Sequence, residues 1–278
     1  MKTSFKYLLA LTFIVCMAFT NKDRFDGKPA DIKWKMGVAL YSFNQHSLDK
    51  ALTMAAESGV KSVEGFSFYN LGPDFKNKDM GNLDAEGVTL LKKKLKDSGL
   101  TMNSMYVGDA NNAAEWKRYF EMGRQLGLKY LVCEPKKEQL GTIDSLAGIY
   151  KIKVAIHQHV KGTSEYWHPE MVLEAIKGHK NIGACADLGH WVRSGLDPVT
   201  CLEILKGHII GVHLKDVNTE GNDVDLGTGA INFPGVIKEL KKQQFSGTIN
   251  SECEHNMKDN LKDVKQALDY FNSMAAKN

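Results

Sequence analysis

A chain of 278 residues, 43% of them hydrophobic and 25% charged, can bury one large core, as a single barrel of about 250 residues or as two small domains. The formal net charge of +3 is too small for this length to mark a nucleic-acid or anionic-membrane binder. The densest basic run, Lys92 to Lys96, falls on the polar face of a predicted helix.

Lys2 and Lys6 precede an apolar run from Tyr7 to Phe19 that is short for a bilayer span but suits a secretory signal over residues 1–20. Ala18-Phe-Thr20 would be its cleavage site, which makes the expected location periplasmic or secreted, with no stable membrane span in the mature protein. Lipid attachment at Cys16 is the weaker alternative, because Phe13-Ile-Val15 lacks the small residue expected before a lipoprotein cysteine. Residues 21–35 are predicted to be extended, and 36–278 to form the folded domain.

From there short apolar runs alternate with amphipathic stretches. Predicted strands cover Met36–Phe43, Ser62–Phe68, Thr101–Val107, Tyr130–Glu134, Lys153–Val160, the run Ile182–Trp191 that breaks into a turn near Gly189, Ile209–Asp216 and Gly247–His255. Predicted helices begin at the N-cap Ser47 and then cover Ala85–Asp97, Ala113–Leu126, Thr142–Tyr150, Glu170–Lys177, Pro198–Lys206, Phe233–Gln243 and Asp259–Ala275. Glycines 59, 99 and 127 stop the first three. Strict alternation implies parallel strands joined by right-handed crossovers, and eight units imply a closed (β/α)8 TIM barrel. An open doubly wound sheet is the runner-up, but Tyr41-Ser-Phe-Asn44 stands where its Gly-rich phosphate loop would be.

Active sites on such barrels lie at the carboxyl ends of the strands. Those ends offer Glu64, Glu134, His157, His159, Asp187, His190, His213, Lys215, Asp216, Glu252, Glu254 and His255, with Tyr41 and Tyr106 suited to substrate hydroxyls. Two carboxylates and an imidazole, Asp187, Glu252 and His213, would be costly to bury at one rim without a cation. Mixed oxygen and nitrogen donors without thiolate favour a divalent metal ion such as Mn²⁺, with Co²⁺, Zn²⁺ or Mg²⁺ as alternatives. Of the cysteines beyond Cys16, alternation is expected to turn Cys133, Cys185 and Cys253 away from the face carrying Glu134, Asp187 and Glu252, and no disulfide framework follows.

The runs Gly37-Val-Ala-Leu-Tyr-Ser42, Val154-Ala-Ile-His-Gln-His159, Asp187 with His190, Gly211-Val-His-Leu-Lys-Asp216, and Leu226-Gly-Thr-Gly-Ala-Ile-Asn-Phe233 leading to Glu252 resemble the xylose isomerase-like barrels. That family includes sugar phosphate isomerases and epimerases, inosose and dehydroshikimate dehydratases, and endonuclease IV. The resemblance implies one metal held by an acidic residue of strand five, the strand-six Asp187, the strand-seven His213 and the strand-eight Glu252. Strand five departs from it: relatives commonly read Glu-Asn-His there and this chain reads His157-Gln-His159. Either His157 ligates, or Glu134 supplies the carboxylate, or both do. Glu134 and Glu252 are candidate catalytic groups together with His159 and Lys215. Tyr41, Glu64, Tyr106, His159, His190, Lys215 and Glu254 are candidate substrate contacts.

The expected activity is isomerisation or epimerisation of a free sugar or keto-sugar, through proton abstraction beside a metal-bound carbonyl and an enediolate. The alternatives are β-elimination on a 3-keto-glycoside and a sugar-binding barrel without catalysis. A DNA-repair role would need further histidines where Glu64, Phe68 and Tyr106 stand, and a basic face that the charge does not supply. The expected partner is a small carbohydrate, and the sequence is compatible with a homo-oligomer.

Overall fold

The computed structural model describes residues 34–277; the expected signal segment, Cys16 and most of the expected extended segment lie outside the described residues. Eight parallel strands close into a barrel: β1 (Lys35–Ala39), β2 (Ser62–Phe66), β3 (Thr101–Tyr106), β4 (Tyr130–Cys133), β5 (Lys153–His157), β6 (Ile182–Asp187), β7 (Ile209–Leu214) and the last barrel strand, Thr248–Ser251, which pairs with both β7 and β1. A two-stranded antiparallel hairpin, β8 (Asp216–Val217) and β9 (Asp223–Val224), intervenes in the chain, so the closing barrel strand is β10.

Helices α1 (Leu48–Glu57), α2 (Ala85–Asp97), α3 (Ala113–Leu126), α4 (Leu140–Tyr150) and α5 (Pro169–Ile176) follow the first five strands. Two helices, α6 (Leu188–Arg193) and α7 (Pro198–Ile204), follow β6; α8 (Phe233–Lys242) comes after the hairpin, and α9 (Leu261–Lys277) after β10. Their N-termini carry side-chain caps, Ser47, Asp84, Asn112, Asp187, Asp197 and Asn232 among them, each accepting a backbone N–H of the first turn. The helices press apolar faces onto the outside of the barrel, where Leu52, Phe120, Ile143, Leu202, Phe233, Leu240 and Phe271 meet Val63, Met105, Leu131, Val154, Ala184, Val212 and Ile249. Among the described residues no helix is long and apolar enough to cross a membrane.

The barrel is the one expected, but the strands stop short of the predicted ends at Phe66, Cys133, His157, Leu214 and Ser251. Beyond those points the backbone leaves the ladder, so Glu134, His159, Lys215, Glu252 and Glu254 project from the rim. The predicted run Ile182–Trp191 is corrected in the same way. It is a strand only to Asp187, whose carboxylate caps α6. Gly189 lies inside that helix, where a Cβ would meet Lys215 Cγ at 2.5 Å.

The interior of the barrel is polar as well as packed. Glu64, Ser104 and Asn250 are buried there with Tyr130, whose ring crosses to β7 and fills the space that a side chain at Gly211 would occupy. Cys185 belongs to this interior, packed with Tyr130, Val132 and Ala155, which corrects the expectation that it faces the helices. It is two residues from Asp187, and a strand repeats its face every two residues. Cys133 and Cys253 pack in the outer layer as expected. Replacing Gly211 by Ala puts a Cβ at 2.9 Å from the Tyr130 hydroxyl, so Gly211→Ala should lower unfolding free energy by about 1–3 kcal/mol in urea titration, as overpacking of a full core does.

Candidate metal centre and substrate cavity

The strand ends bring four donors together. Ligand atoms of His157, Asp187, His213 and Glu252 all lie within 4.8 Å of one another, and all four side chains are buried. His157 Nε2 is 3.2 Å from His213 Nδ1 and 3.4 Å from Asp187 Oδ2, and His213 Nδ1 is 3.1 Å from Glu252 Oε2.

Asp187 divides its two oxygens. Oδ1 accepts the His190 backbone N–H at 2.9 Å and so caps α6. Oδ2 is fully buried and has no hydrogen-bond partner among the described residues, although Lys215 Nζ stands 3.3 Å and His213 Nδ1 3.7 Å away. A buried carboxylate oxygen without a hydrogen bond, whose ammonium neighbour is shared with Glu252 and Glu254, and which is ringed by two imidazole nitrogens and a second carboxylate, presents the donor set of a divalent ion, so these residues fit a metal ion.

A carboxylate stands behind each imidazole. Glu64 Oε1 accepts from His213 Nε2 at 2.7 Å, while its other oxygen accepts from Ser104 at 2.6 Å and Asn250 at 3.1 Å. That bond keeps the proton on Nε2 and aims the Nδ1 lone pair at the centre. Glu64 was expected to bind substrate, but it is fully buried beneath His213 and out of a substrate's reach. Glu134 has the corresponding place behind His157: Oε1 is 3.6 Å from His157 Nδ1, contacts His159 Nδ1 closely and accepts from the Tyr106 hydroxyl at 2.7 Å. Of the strand-five candidates, His157 stands in the four-donor group with Asp187, His213 and Glu252, and Glu134 groups with His157 and His159.

Burial opposes charge throughout this cluster, and proximity of opposite charges outweighs it. Burial pushes Glu134 up, yet bonds to His157 and His159 hold it far below the usual carboxylate range. Asp187 and Glu252 are also held well below theirs despite burial, by His190 and Lys215 in the first case and by Lys215 and His213 in the second. Burial would lower His157 and His213, but the surrounding carboxylates raise both. In His190 burial wins and takes it down to about 3, so its imidazole is neutral.

Above the donors lies a cavity of about 230 Å³, at the small end for ligand sites and suited to a monosaccharide rather than a larger molecule. One wall is aromatic: Phe66 and Tyr106 stack at 5.7 Å, and Tyr41 and the half-exposed Phe68 close around them. The other wall carries His159, His190, Lys215, Glu252 and Glu254. Lys215 Nζ is 3.0 Å from Glu252 and in close contact with Glu254. Tyr41, Tyr106, His159, His190, Lys215 and Glu254 thus all face the cavity, and Glu64 alone of the expected substrate contacts does not. Phe66 and Phe68 were missed, although Phe66 shares the face of Glu64 on β2 and Phe68 stands two residues beyond it. Asp216, which ended a predicted strand, holds a loop instead: its carboxylate accepts the backbone N–H groups of Gly227, Gly229 and Ile231.

The family model of the xylose isomerase-like TIM barrels matches residues 52–274. The chain belongs to that family. Among solved structures, an uncharacterised protein from Parabacteroides distasonis is 31% identical, with a TM-score of 0.70 and coverage of 88% of this chain and 99% of that one. A D-psicose 3-epimerase crystallised with D-fructose (12% identical, TM-score 0.70, 87% and 99% covered) and an IolI protein with a zinc atom (18% identical, TM-score 0.72, 87% and 98% covered) share the fold. An inosose dehydratase of Mesomycoplasma hyopneumoniae is 27% identical over 145 residues, 44% of this chain. The chain spans under half the length of the curated relatives it matches.

The two carboxylates behind the imidazoles can be tested separately from the donors. Glu64→Gln should leave a folded barrel that binds its ion about 10–100-fold more weakly in a chelator-competition titration. His157→Ala should lose most of the bound ion by elemental analysis, whereas Glu134→Gln should retain it; equal retention in both would remove His157 from the ligand set.

Proposed function

We propose that the protein is a divalent-metal-dependent enzyme that isomerises or epimerises a free or glycosidically linked sugar or keto-sugar by moving a proton at the carbon next to a carbonyl. The observation that carries this is the four-donor cluster of His157, Asp187, His213 and Glu252, with Asp187 Oδ2 buried and without a hydrogen bond, beneath a cavity of monosaccharide size. His157, Asp187, His213 and Glu252 would hold the ion. The N2O2 donor set suits Mn²⁺, the ion favoured by the sequence, and also Co²⁺ or Zn²⁺ better than Mg²⁺, since imidazole has replaced a carboxylate of the family pattern. When bound, such an ion acidifies the C–H beside a chelated carbonyl.

The chain's own residues supply the rest. His159 is partly exposed to the cavity and backed by Glu134, an arrangement suited to taking a proton from the substrate carbon, with Glu134 orienting the ring. On the other wall the Lys215–Glu254 pair can return a proton at the opposite face or at the neighbouring carbon. The aromatic wall of Tyr41, Phe66, Phe68 and Tyr106 would cover the apolar face of a sugar ring and exclude water, and the neutral His190 would hydrogen-bond a hydroxyl. Few cationic groups line the cavity, which fits an unphosphorylated sugar, and the apolar run Tyr7–Phe19, read as an export signal, would point the same way.

A lyase reading shares the first proton transfer. It is favoured by the inosose dehydratase relative and by Lys215, whose ammonium could protonate a leaving oxygen while the pair Glu134–His159 takes the α-proton.

Incubation with free sugars and 3-keto-glycosides in deuterated water, followed by NMR, should give deuterium at the carbon beside the carbonyl and an isomer or epimer. An unsaturated product would favour the lyase reading, and absence of exchange would leave a sugar-binding barrel. Chelation should abolish exchange. His159→Ala should slow it about 10²–10⁴-fold with metal content unchanged.

A further inference from the structure

A second set of metal-type donors lies outside the barrel mouth, independent of the centre described above. Cys253 follows Glu252 in sequence and points the opposite way, into the layer between β10 and α9. There its Sγ is 3.5 Å from His255 Nδ1 and 3.9 Å from His255 Nε2. His255 Nε2 is also 3.9 Å from Asp263 Oδ2, on the first turn of α9, and 2.9 Å from Asp225 Oδ1, which follows β9. Ligand atoms of Cys253, His255 and Asp263 lie within 4.8 Å of one another.

With zinc–sulfur and zinc–nitrogen bonds of about 2.3 and 2.0 Å, neighbouring donors of a tetrahedral site stand roughly 3.3–3.8 Å apart. The 3.5 Å between Cys253 Sγ and His255 Nδ1 falls in that range, and the 3.9 Å between His255 Nε2 and Asp263 Oδ2 lies just outside it. Cys253, His255 and Asp263 also border a void of about 10 Å³, close to the smallest space that admits one water-sized particle. The other charged groups at that void have partners of their own. Lys215 is paired with Glu254, and Asp223 with Arg193. Asn256 Nδ2 donates to Asp263 Oδ2 at 3.1 Å, which fixes that carboxylate without supplying a positive charge.

We propose that Cys253, His255 and Asp263 form a second cation site of the zinc class, separate from the centre at the barrel mouth, with Asp225 holding the His255 ring through Nε2. A thiolate beside imidazole and carboxylate selects a borderline ion such as Zn²⁺ or Co²⁺ over Mg²⁺ or Ca²⁺. Binding would release the Cys253 thiol proton to solvent, as metal–thiolate formation requires. The three segments joined, after β9, after β10 and at the start of α9, include the one carrying Glu252 and Glu254. An ion here would thus fix the backbone from which two rim carboxylates project.

The donors at the barrel mouth include no thiolate, and that separates the two sites spectroscopically. Full-length protein stripped with chelator and titrated with Co²⁺ should bind two equivalents, one of which gives a strong sulfur-to-cobalt charge-transfer band in the near ultraviolet. Cys253→Ser and His255→Ala should abolish the band and lower the stoichiometry from two to one, while Asp187→Asn should leave the band in place. Asp225→Asn alters an exposed carboxylate, so the fold should persist, and it should weaken the ion giving the band at least about tenfold. A titration of the full-length protein without the band, or a band that survives Cys253→Ser, overturns the proposal, the latter by moving the thiolate to Cys185.

Discussion

The site is organised by the carboxylate of Asp187. One oxygen ends β6 and starts α6 by capping its first turn; the other is buried with no hydrogen-bond partner and faces two imidazoles and an ammonium. The ammonium, 3.3 Å away, is shared with Glu252 and Glu254, so it offsets only part of the cost of gathering three carboxylates at one rim. Because the capping bond fixes the carboxylate, its free oxygen cannot rotate away. The geometry of the rim follows from this: His157 and His213 converge on it, and Glu252 closes the fourth side.

On β5, His157 presents Nε2 to the centre, and Glu134 stands behind its Nδ1. His213 and Glu64 repeat the pairing from the other side of the barrel. Each imidazole is thereby fixed in one orientation by a negative charge that does not itself reach the centre. Glu134 also holds His159 and Tyr106, so the group that steadies a donor also shapes the cavity wall.

The loop after β7 shows how this rim is kept in place. Asp216, buried and without a route to the cavity, accepts three backbone N–H groups of the segment 227–231, and Gly229 is required because a Cβ would meet its Oδ1 at 2.3 Å. The Gly-Thr-Gly run is therefore a backbone clamp, and it leaves Lys215, one residue before Asp216, turned toward Asp187 and Glu252.

Alternating hydrophobic runs and amphipathic stretches by themselves determined the barrel, since eight parallel units have few other ways to bury both faces of their strands. Parity along each strand likewise assigned faces: it sends Glu134 and Glu252 inward and Cys133 outward, and, correctly applied, it also puts Cys185 beside Asp187. Parity gives a face but no depth. The ladder slips register at Val63/Glu64 and at Ala184/Cys185, and the tilt of strands in a closed barrel sets residues of different strands at different heights. Only the tertiary structure therefore decided that Glu64 lies under His213 rather than in the cavity, that His157 and not Glu134 meets Asp187, and that β6 turns into a helix at Leu188. These depend on contacts between segments far apart in sequence, which no local pattern encodes.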